Sequence, residues 1–291
     1  MRVTQMLSDR NFLTNIDRLN SNLETVNQQV SSGKKLLSLK DSPSGSAQLV
    51  GLSAQLADID QYQANADVGN LYLGVADSAL SSVHTLVTTI FTKGSAATSN
   101  ILDPTQRAAL AGEIRSLRDE VLSQANSETE GRYIFAGSTS NAPAFTIAGD
   151  TVTYQGDQVV NTVSVGDGVT VPQGFAGDSV FSPVFATINQ LLTAVDSGDA
   201  AGMQSALSQF STALGGLNTF RVQIGVSQNT LSDLKNMQDS ARTSITVQKS
   251  SLQDADLAQA VTQLSQIQTA LQAALAARSI TQQKNLFDYL G

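Results

Sequence analysis

The stretch that decides the fold is residues 257–275, which read LAQAVTQLSQIQTALQAAL. One series of positions in it recurs at intervals of four and three residues: Leu257, Val261, Leu264, Gln268, Leu271 and Leu275. This heptad spacing predicts a helix with one continuous contact stripe. The beginning of the chain repeats the spacing: Phe12, Ile16, Leu19, Leu23, Val26 and Val30. Because neither stripe can be buried alone, we expect the two terminal helices to pair.

Few charged residues flank the C-terminal stripe. From position 251 to the end they are Asp254, Asp256, Arg278, Lys284 and Asp288. The remaining polar positions are mostly glutamine: Gln253, Gln259, Gln263, Gln266, Gln268, Gln272, Gln282 and Gln283. A coiled coil in solution normally carries charged flanking positions that select its partner. Two interpretations stay open, an ordinary intramolecular coiled coil and a pair of termini that contacts several neighbouring chains in an assembly. We favour the second.

Composition excludes several classes of function. The 291 residues allow one large or two modest domains, and the net charge of -8 argues against a nucleic-acid or anionic-membrane partner. Cysteine is absent, so neither a disulfide nor a thiolate metal site is possible. The first ten residues lack the apolar core of a signal peptide, and no run reaches the roughly 18 apolar residues of a membrane helix. If the protein leaves the cell, we expect a route that cleaves no secretory leader.

Glycine and proline predict where the helices end and begin. Gly33 is expected to stop the first helix as a left-handed cap, and Pro43 suits the first turn of the second. We expect Gly94 and the polar residues after it to end the second helix. Asp103-Pro104 is the predicted start of a third helix, and Gly131 its end.

Between Arg132 and Asp178 the helical periodicity gives way to short segments typical of strands, separated by Gly-Asp turn sequences. The predicted strands are Tyr133–Phe135, Thr151–Tyr154, Thr162–Val165 and Val169–Val171. Helix is expected to return at Pro183. After Gly198, one long helix is predicted from Asp199 to about Lys249.

The predicted fold class is therefore mainly α. We expect a long antiparallel helical hairpin or rod-like bundle with the N- and C-terminal helices paired, plus a small inserted β module. Residues 1–42 and 250–291 are predicted to form a terminal coiled-coil assembly domain. Residues 43–137 and 181–249 are predicted to form a helical rod, and residues 138–180 the inserted β domain.

No catalytic constellation stands out. The single histidine, His84, follows a helical apolar stripe and is read as structural. Asp254 and Asp256 suit the start of the last helix better than a catalytic carboxylate pair. Gly166-Asp167-Gly168 is read as a turn, because it lacks calcium-ligand spacing. We therefore expect no enzyme activity, no cofactor and no metal, and a function in binding or assembly.

Several motifs resemble the flagellin superfamily. Near the N-terminus they are Val30–Lys35 followed by Asp41–Pro43, and near the C-terminus Asp254–Ala260, Leu264–Gln266, Gln268–Ala273 and Leu286–Leu290. Inside the chain they are Phe135–Ser138, Pro143–Phe145, Val184–Ile188 and Arg221–Gly225. The resemblance extends over essentially the whole chain and is strongest at both ends.

The resemblance implies a structural, exported subunit of the bacterial flagellum. Among such subunits, the Phe287–Leu290 ending and the small β module favour one that joins hook to filament and seeds filament assembly after type III export. The implied partners are further copies of the chain in a ring of about eleven, the first hook-associated protein, flagellin, and the export apparatus with its export chaperone. Neither nucleic acid nor a membrane is implied.

The same resemblance implies an assembly interface made of the two stripes and the end of the chain. Its residues are Phe12, Ile16, Leu19, Leu23, Val26, Val30, Leu257, Val261, Leu264, Leu271, Leu275, Phe287, Tyr289 and Leu290. Flagellin, the filament subunit itself, is the nearest alternative function. A cytoplasmic coiled-coil adaptor is the alternative from another class, and it would explain the heptads without explaining why both termini carry so little charge.

Overall fold

The protein was analysed as a computed structural model that describes residues 2–38, 40–98 and 103–287. Helices dominate these residues, as predicted, and the strands form a small β module of three antiparallel pairs. In chain order the elements are α1 (Arg2–Ser32), α2 (Pro43–Thr98), α3 (Pro104–Ala125), β1 (Glu128–Thr129), β2 (Arg132–Tyr133), β3 (Phe145–Ala148), β4 (Thr151–Tyr154), β5 (Thr162–Gly166), β6 (Val169–Pro172), α4 (Gly177–Ser197), α5 (Ala200–Gln253) and α6 (Leu257–Phe287).

The chain divides into two compact units. The first, which we call the terminal unit, consists of Met1–Asp58 and Ala241–Gly291. The second, which we call the central unit, is Ile59–Ser240 and contains α3, α4 and all the described strands. The finer division made from the sequence, with residues 138–180 as a domain of their own, stays a prediction.

Aromatic side chains fix the β module on the core of the central unit. Phe135 and Phe181 meet edge to face with ring centroids 4.7 Å apart, and Phe145 contacts the same Phe181 ring at 5.8 Å. Phe145 also lies 5.0 Å from Tyr154 across the β3–β4 pair. All three phenylalanines are fully buried. Each such pair adds about 0.5–1.5 kcal/mol beyond the burial of its area, so strands and helices of this unit share one core.

Some predicted helix boundaries are wrong. Helix α2 ends at Thr98, within the polar run 95–100 that was predicted to end it, but Gly94 does not stop the helix. Gly94 is a packing position, because a Cβ there would lie 3.0 Å from Leu191 and 3.1 Å from Leu207. Helix α3 ends at Ala125, and Gly131, with φ +74°, lies in the turn between β1 and β2.

Helix α4 and the first strands also differ from the prediction. Helix α4 begins at Gly177, whose N–H donates to the Phe135 carbonyl at 2.9 Å, and Pro183 lies inside it. The prediction placed the start of this helix at Pro183. The contact of Gly177 with Phe135 sets the start six residues earlier. Strand β2 is shorter than the predicted Tyr133–Phe135, and strand β3 was not predicted.

An ion-pair cluster fastens the β3–β4 turn to two helices. Asp150, in that turn, accepts hydrogen bonds from the Arg115 guanidinium at 3.0 Å and from Arg118 Nη1 at 2.7 Å. Arg115 reaches on to Asp196 of α4 at 2.6 Å. The Arg118 side chain is only 6% exposed, so it depends on the carboxylates of Asp150 and Asp119 for compensation of its charge. The hydrogen bonds from Arg115, and then those from Arg118, lower the pKa of Asp150 from 3.8 to about 2.

This cluster gives a pH-dependent prediction. A carboxyl group with a lowered pKa in the folded state contributes stability above its unfolded pKa, here 3.8, and loses it as the pH falls through about 2. Since the Asp150 side chain is 39% exposed, we discount the effect for solvent screening to about 1 kcal/mol. Asp150→Asn should therefore be about 1 kcal/mol less stable than the wild type near pH 7 in urea unfolding, and the difference should shrink towards about pH 3. A difference that stayed constant over this range would contradict the assignment.

Candidate assembly interface in the terminal helices

The breaks between α1 and α2 and between α5 and α6 lie side by side in the terminal unit. Gly33 ends α1 with φ +70°, which confirms the predicted left-handed cap. Its carbonyl accepts the Ala255 N–H at 2.8 Å, and the Lys35 N–H donates to the Gln253 carbonyl at 2.7 Å. Lys34 and Asp254 thus form an antiparallel β-bridge. We call these paired segments, residues 33–35 and 253–255, the joint.

Two aspartates lie immediately before helix α6, and they differ in what they contact. The Asp256 carboxylate accepts the N–H groups of Ala258 at 3.0 Å and Gln259 at 3.1 Å, so it caps α6. Asp256 therefore complements the start of the last helix, as predicted. Asp254 instead belongs to the joint, where it accepts a hydrogen bond from the Ser250 hydroxyl.

The loop that precedes α2 is also held by side chains. Ser42 accepts the Gly45 N–H at 3.1 Å in the first turn of α2. Asp41 accepts the N–H groups of Ser38 at 2.7 Å and Leu37 at 2.8 Å. These backbone hydrogen bonds, from Ser38 first and then from Leu37, lower the pKa of Asp41.

Helices α1 and α6 pack against each other, as predicted. On α1 every position of the predicted stripe loses exposure: Val26 is buried, and the others are half-buried. On α6 the half-buried and buried positions are Ala260, Leu264, Ile267, Leu271, Ala274 and Arg278. We call this series the seam of α6.

The seam is therefore only partly the stripe predicted for α6. Leu264 and Leu271 belong to both, but Leu257, Val261 and Leu275 are 50%, 48% and 53% exposed. Both series have heptad spacing, and the seam is the one that keeps the Gln268 amide exposed. An amide buried without a partner would be costly, whereas Ala260 and Ala274 permit close approach. Sequence reasoning missed Ala260, Ile267 and Ala274, although they could have been found as a second heptad series.

The two flanks of the α6 seam differ in chemistry. At about 100° per residue, Leu257, Val261 and Leu275 lie together on one flank, which we call the apolar flank. Gln259, Gln263 and Gln266 lie on the other side of the seam, which we call the amide flank, and all three are exposed. Exposed apolar side chains grouped along one helix are typical of an interaction surface.

At the far end of the pair, Arg278 connects the two helices. Its guanidinium pairs with Asp9 and lies 5.5 Å from the centre of the Phe12 ring. The predicted interface residue Phe287 is the last residue of α6, and its side chain lies outside the described part of the chain. Tyr289 and Leu290 lie outside the described residues.

Other kinds of site are not found in the part of the chain that the structure describes. Residues 2–38, 40–98 and 103–287 contain no group of three or more His, Cys, Asp or Glu placed to hold a metal ion. Within the same ranges, no helix has the length and apolarity needed to cross a membrane. His84 lies half-buried on α2 beside the buried Val83 and Val87.

Comparison with known proteins places the chain in a family. The bacterial flagellin N-terminal helical region matches residues 3–140, and the bacterial flagellin C-terminal helical region matches residues 207–290. Together these matches include both terminal helices and well over half of the chain. The chain belongs to the flagellin family. Membership explains why the motifs at both ends of the sequence carried the resemblance, and it makes the chain a structural flagellar protein that assembles with itself and with other flagellar components.

The chain is similar along nearly its whole length to two kinds of flagellar protein. Flagellar hook-associated protein 3 of Escherichia coli strain K12 is 27% identical over 98% of either chain. Flagellin FljK of Caulobacter vibrioides is 26% identical, over 94% of this chain and 92% of its own. A solved structure of a flagellar hook-associated protein from Vibrio parahaemolyticus superposes with a TM-score of 0.65 at 20% identity, over 74% of this chain and 100% of that one. At that identity the likeness concerns the fold.

Proposed function

We propose that the chain is the structural subunit that joins hook to filament in the bacterial flagellum. The observation that carries the proposal is the end-to-end match to flagellar hook-associated protein 3 of Escherichia coli, 27% identical over 98% of both chains. The work of such a subunit is mechanical, so it acts by binding at its ends and not as an enzyme. Its place is outside the cell, between the hook and the first filament subunits.

The proposed partners follow from this position. Copies of the chain form a ring of about eleven subunits, which contacts the first hook-associated protein on one side and flagellin on the other. The flagellar type III export apparatus and an export chaperone deliver the chain. The exposed apolar flank of α6 supports contact with neighbouring subunits, because three half-exposed apolar side chains on one helix gain stability when a neighbour covers them.

The proposed assembly interface includes both faces of the terminal pair. The α1 stripe, with Leu264 and Leu271, holds the pair together within one subunit. Leu257, Val261 and Leu275 are assigned to contacts between subunits, together with Phe287, Tyr289 and Leu290 at the end of the chain.

Deletion of the gene, followed by electron microscopy, tests the proposed position. We expect hooks without filaments and flagellin released into the medium. Immunogold labelling of the wild type should mark one site next to the hook. Filaments of normal length in the deletion strain would overturn the proposal. The relation to flagellin FljK supports filament subunit as a second candidate, and that candidate predicts labelling along the whole filament.

A further prediction concerns the amide flank. We propose that Gln259, Gln263 and Gln266 line the export channel as a neutral, wetted surface. Replacing all three with leucine should then slow filament growth, because apolar side chains would bind unfolded flagellin as it passes. Filament length against time after shearing measures this. Gln268→Leu, on the apolar flank, controls for added apolar area, and unchanged growth of the triple variant would exclude the channel role.

A further inference from the structure

We propose that the β5–β6 hairpin is a releasable strap across helices α2 and α5 of the central unit. In its docked position the strap holds residues 59–69 of α2 to residues 231–240 of α5. When the strap lifts, these two segments are free to separate while the rest of the core of the central unit stays closed. The inference concerns a single folded chain, so it does not depend on the position of the subunit in the flagellum.

Strand β5 is bonded to both helices through two consecutive carbonyl groups. The side-chain amide of Asn65, on α2, donates to the Ser164 carbonyl at 2.7 Å. The side-chain amide of Gln238, on α5, donates to the Val165 carbonyl at 2.6 Å. One short stretch of strand therefore connects the two long helices.

A β-bulge makes the second of these bonds possible. The register of the hairpin pairs Ser164 with Thr170 and then Gly166 with Val169, so Val165 is an extra residue of β5. The extra residue of a bulge is left out of the ladder of hydrogen bonds between the strands. The carbonyl of Val165 is therefore available to the helix beneath it.

The strap also fills space that α2 leaves open. The buried positions of α2 between residues 59 and 69 include Ala66 and Gly69, which offer almost no side chain. A Cβ at Gly69 would lie 3.2 Å from Val163 of β5 and 3.2 Å from Leu231 of α5. Val163 and Leu231 thus meet beside Gly69. Because removing apolar side chains from water is stabilising, the docked strap stabilises the contact of α2 with α5.

The base of the strap is attached separately from these contacts. The Gln173 N–H donates to the Asn161 carbonyl at 2.8 Å, so the two ends of the hairpin lie side by side. The side-chain amide of Asn161 donates to the Gly137 carbonyl at 2.9 Å. With its base held in this way, the hairpin between residues 162 and 172 is able to lift as one piece.

The bond from α5 holds the strap only weakly. The Gln238 side chain is 6% exposed, and its Oε1 atom has no hydrogen-bond partner among the described residues. A buried acceptor without a partner costs stability, which offsets part of what the bond to Val165 contributes. Lifting the strap gives water access to both ends of the amide. Since a two-stranded hairpin is marginally stable by itself in water, release costs less than unfolding of the core.

Thiol labelling of the full-length chain tests release, because the chain has no cysteine of its own. Val165, on the strap, and Val184, in the core on α4, are both 0% exposed. The thiol of Val165→Cys should react with a maleimide at least about tenfold faster than that of Val184→Cys, because only the first is uncovered when the strap lifts. Equal rates would mean that the strap opens only when the core unfolds, and they would overturn the proposal.

A second comparison tests the two bonds to the helices. Added to Val165→Cys, the pair Asn65→Ala and Gln238→Ala removes both donors and should raise the labelling rate at least about tenfold. The control adds Asn229→Ala and Asn236→Ala, which remove two exposed amides of α5, and it should leave the rate unchanged. If the first pair of substitutions had no effect on the rate, these bonds would not hold the strap and the proposal would fail.

Deletion of the strap tests whether it holds the helices together. Two glycines in place of residues 162–172 are enough to connect Asn161 to Gln173, since a two-residue turn joins paired ends. Amides of residues 231–240 should then exchange hydrogen at least about tenfold faster than in the wild type, while those of residues 184–195 keep their protection. Full protection of residues 231–240 would contradict a holding role. Loss of protection in residues 184–195 as well would show that the hairpin belongs to the core and is not a strap.

Discussion

Replacing Leu257, Val261 and Leu275 together with glutamine is expected to abolish assembly while leaving the folded chain intact. The three side chains are about half exposed in the isolated subunit, so little folding stability depends on them. Covering the rest of each side chain in an assembly is worth about 1 kcal/mol, and the loss recurs in every copy that assembles. We therefore expect non-motile cells with bare hooks, measured by swimming assays and electron microscopy.

Two comparisons make this result specific. Thr262→Gln with Thr269→Gln adds glutamine on the face of α6 opposite the seam, and this variant should still assemble. Leu264→Gln with Leu271→Gln changes the seam itself, so it should weaken the α1–α6 pair in the free chain. Normal filaments in the triple variant would show that the apolar flank is not an interface.

Gly137→Ala is expected to destabilise the central unit by about 3 kcal/mol or more. Gly137 has φ +71°, and a Cβ there would lie 2.0 Å from Asp157 Oδ1 and 2.7 Å from the Asp157 carbonyl. The Asp157 carboxylate accepts the Ser138 N–H at 2.9 Å and the Val159 N–H at 3.0 Å. The methyl group would push this carboxylate out of place, so both bonds would be lost in addition to the backbone strain.

Gly149→Ala is the matched control. Gly149 has a similar φ of +63°, but a Cβ there would meet nothing within 4 Å. The control therefore measures the cost of the left-handed backbone alone, about 1–2 kcal/mol. Urea unfolding of the two variants gives the difference. Equal losses of unfolding free energy would mean that the contact with Asp157 adds nothing.

Local signals in the sequence predicted the local structure well. Asp103-Pro104 begins α3, as expected, with a complete capping box: Asp103 accepts the Gln106 N–H at 2.8 Å, and Gln106 accepts the Asp103 N–H at 3.0 Å. Gly33 ends α1 because its cap needs only a left-handed φ. The pairing of the terminal helices also followed from heptad spacing, which is itself a local pattern.

Tertiary contacts explain what the sequence left undecided. A glycine at position 94 predicts a helix end, but Gly94 lies inside α2. Its missing side chain leaves room for Leu191 of α4 and Leu207 of α5. Two heptad series on α6 have equal spacing, and only the packing on α1 selects the one with Ala260 and Ala274. The joint was predicted as a break in the chain, but its bridge to residues 253–255 joins segments more than 200 positions apart. No local pattern specifies such a partner.

The bridge between Lys34 and Asp254 also restricts how the length of this protein can change in evolution. The two arms of the pair are α1 and α6, and the bridge sets their register. Positions equally far from the bridge lie opposite each other as far as Asp9 and Arg278. Removing seven residues from one arm alone would leave the outer turns of the other without counterparts. Removing seven from each would shorten the pair and keep every remaining contact. Insertions and deletions in the two ends of the gene should therefore occur together and in whole heptads.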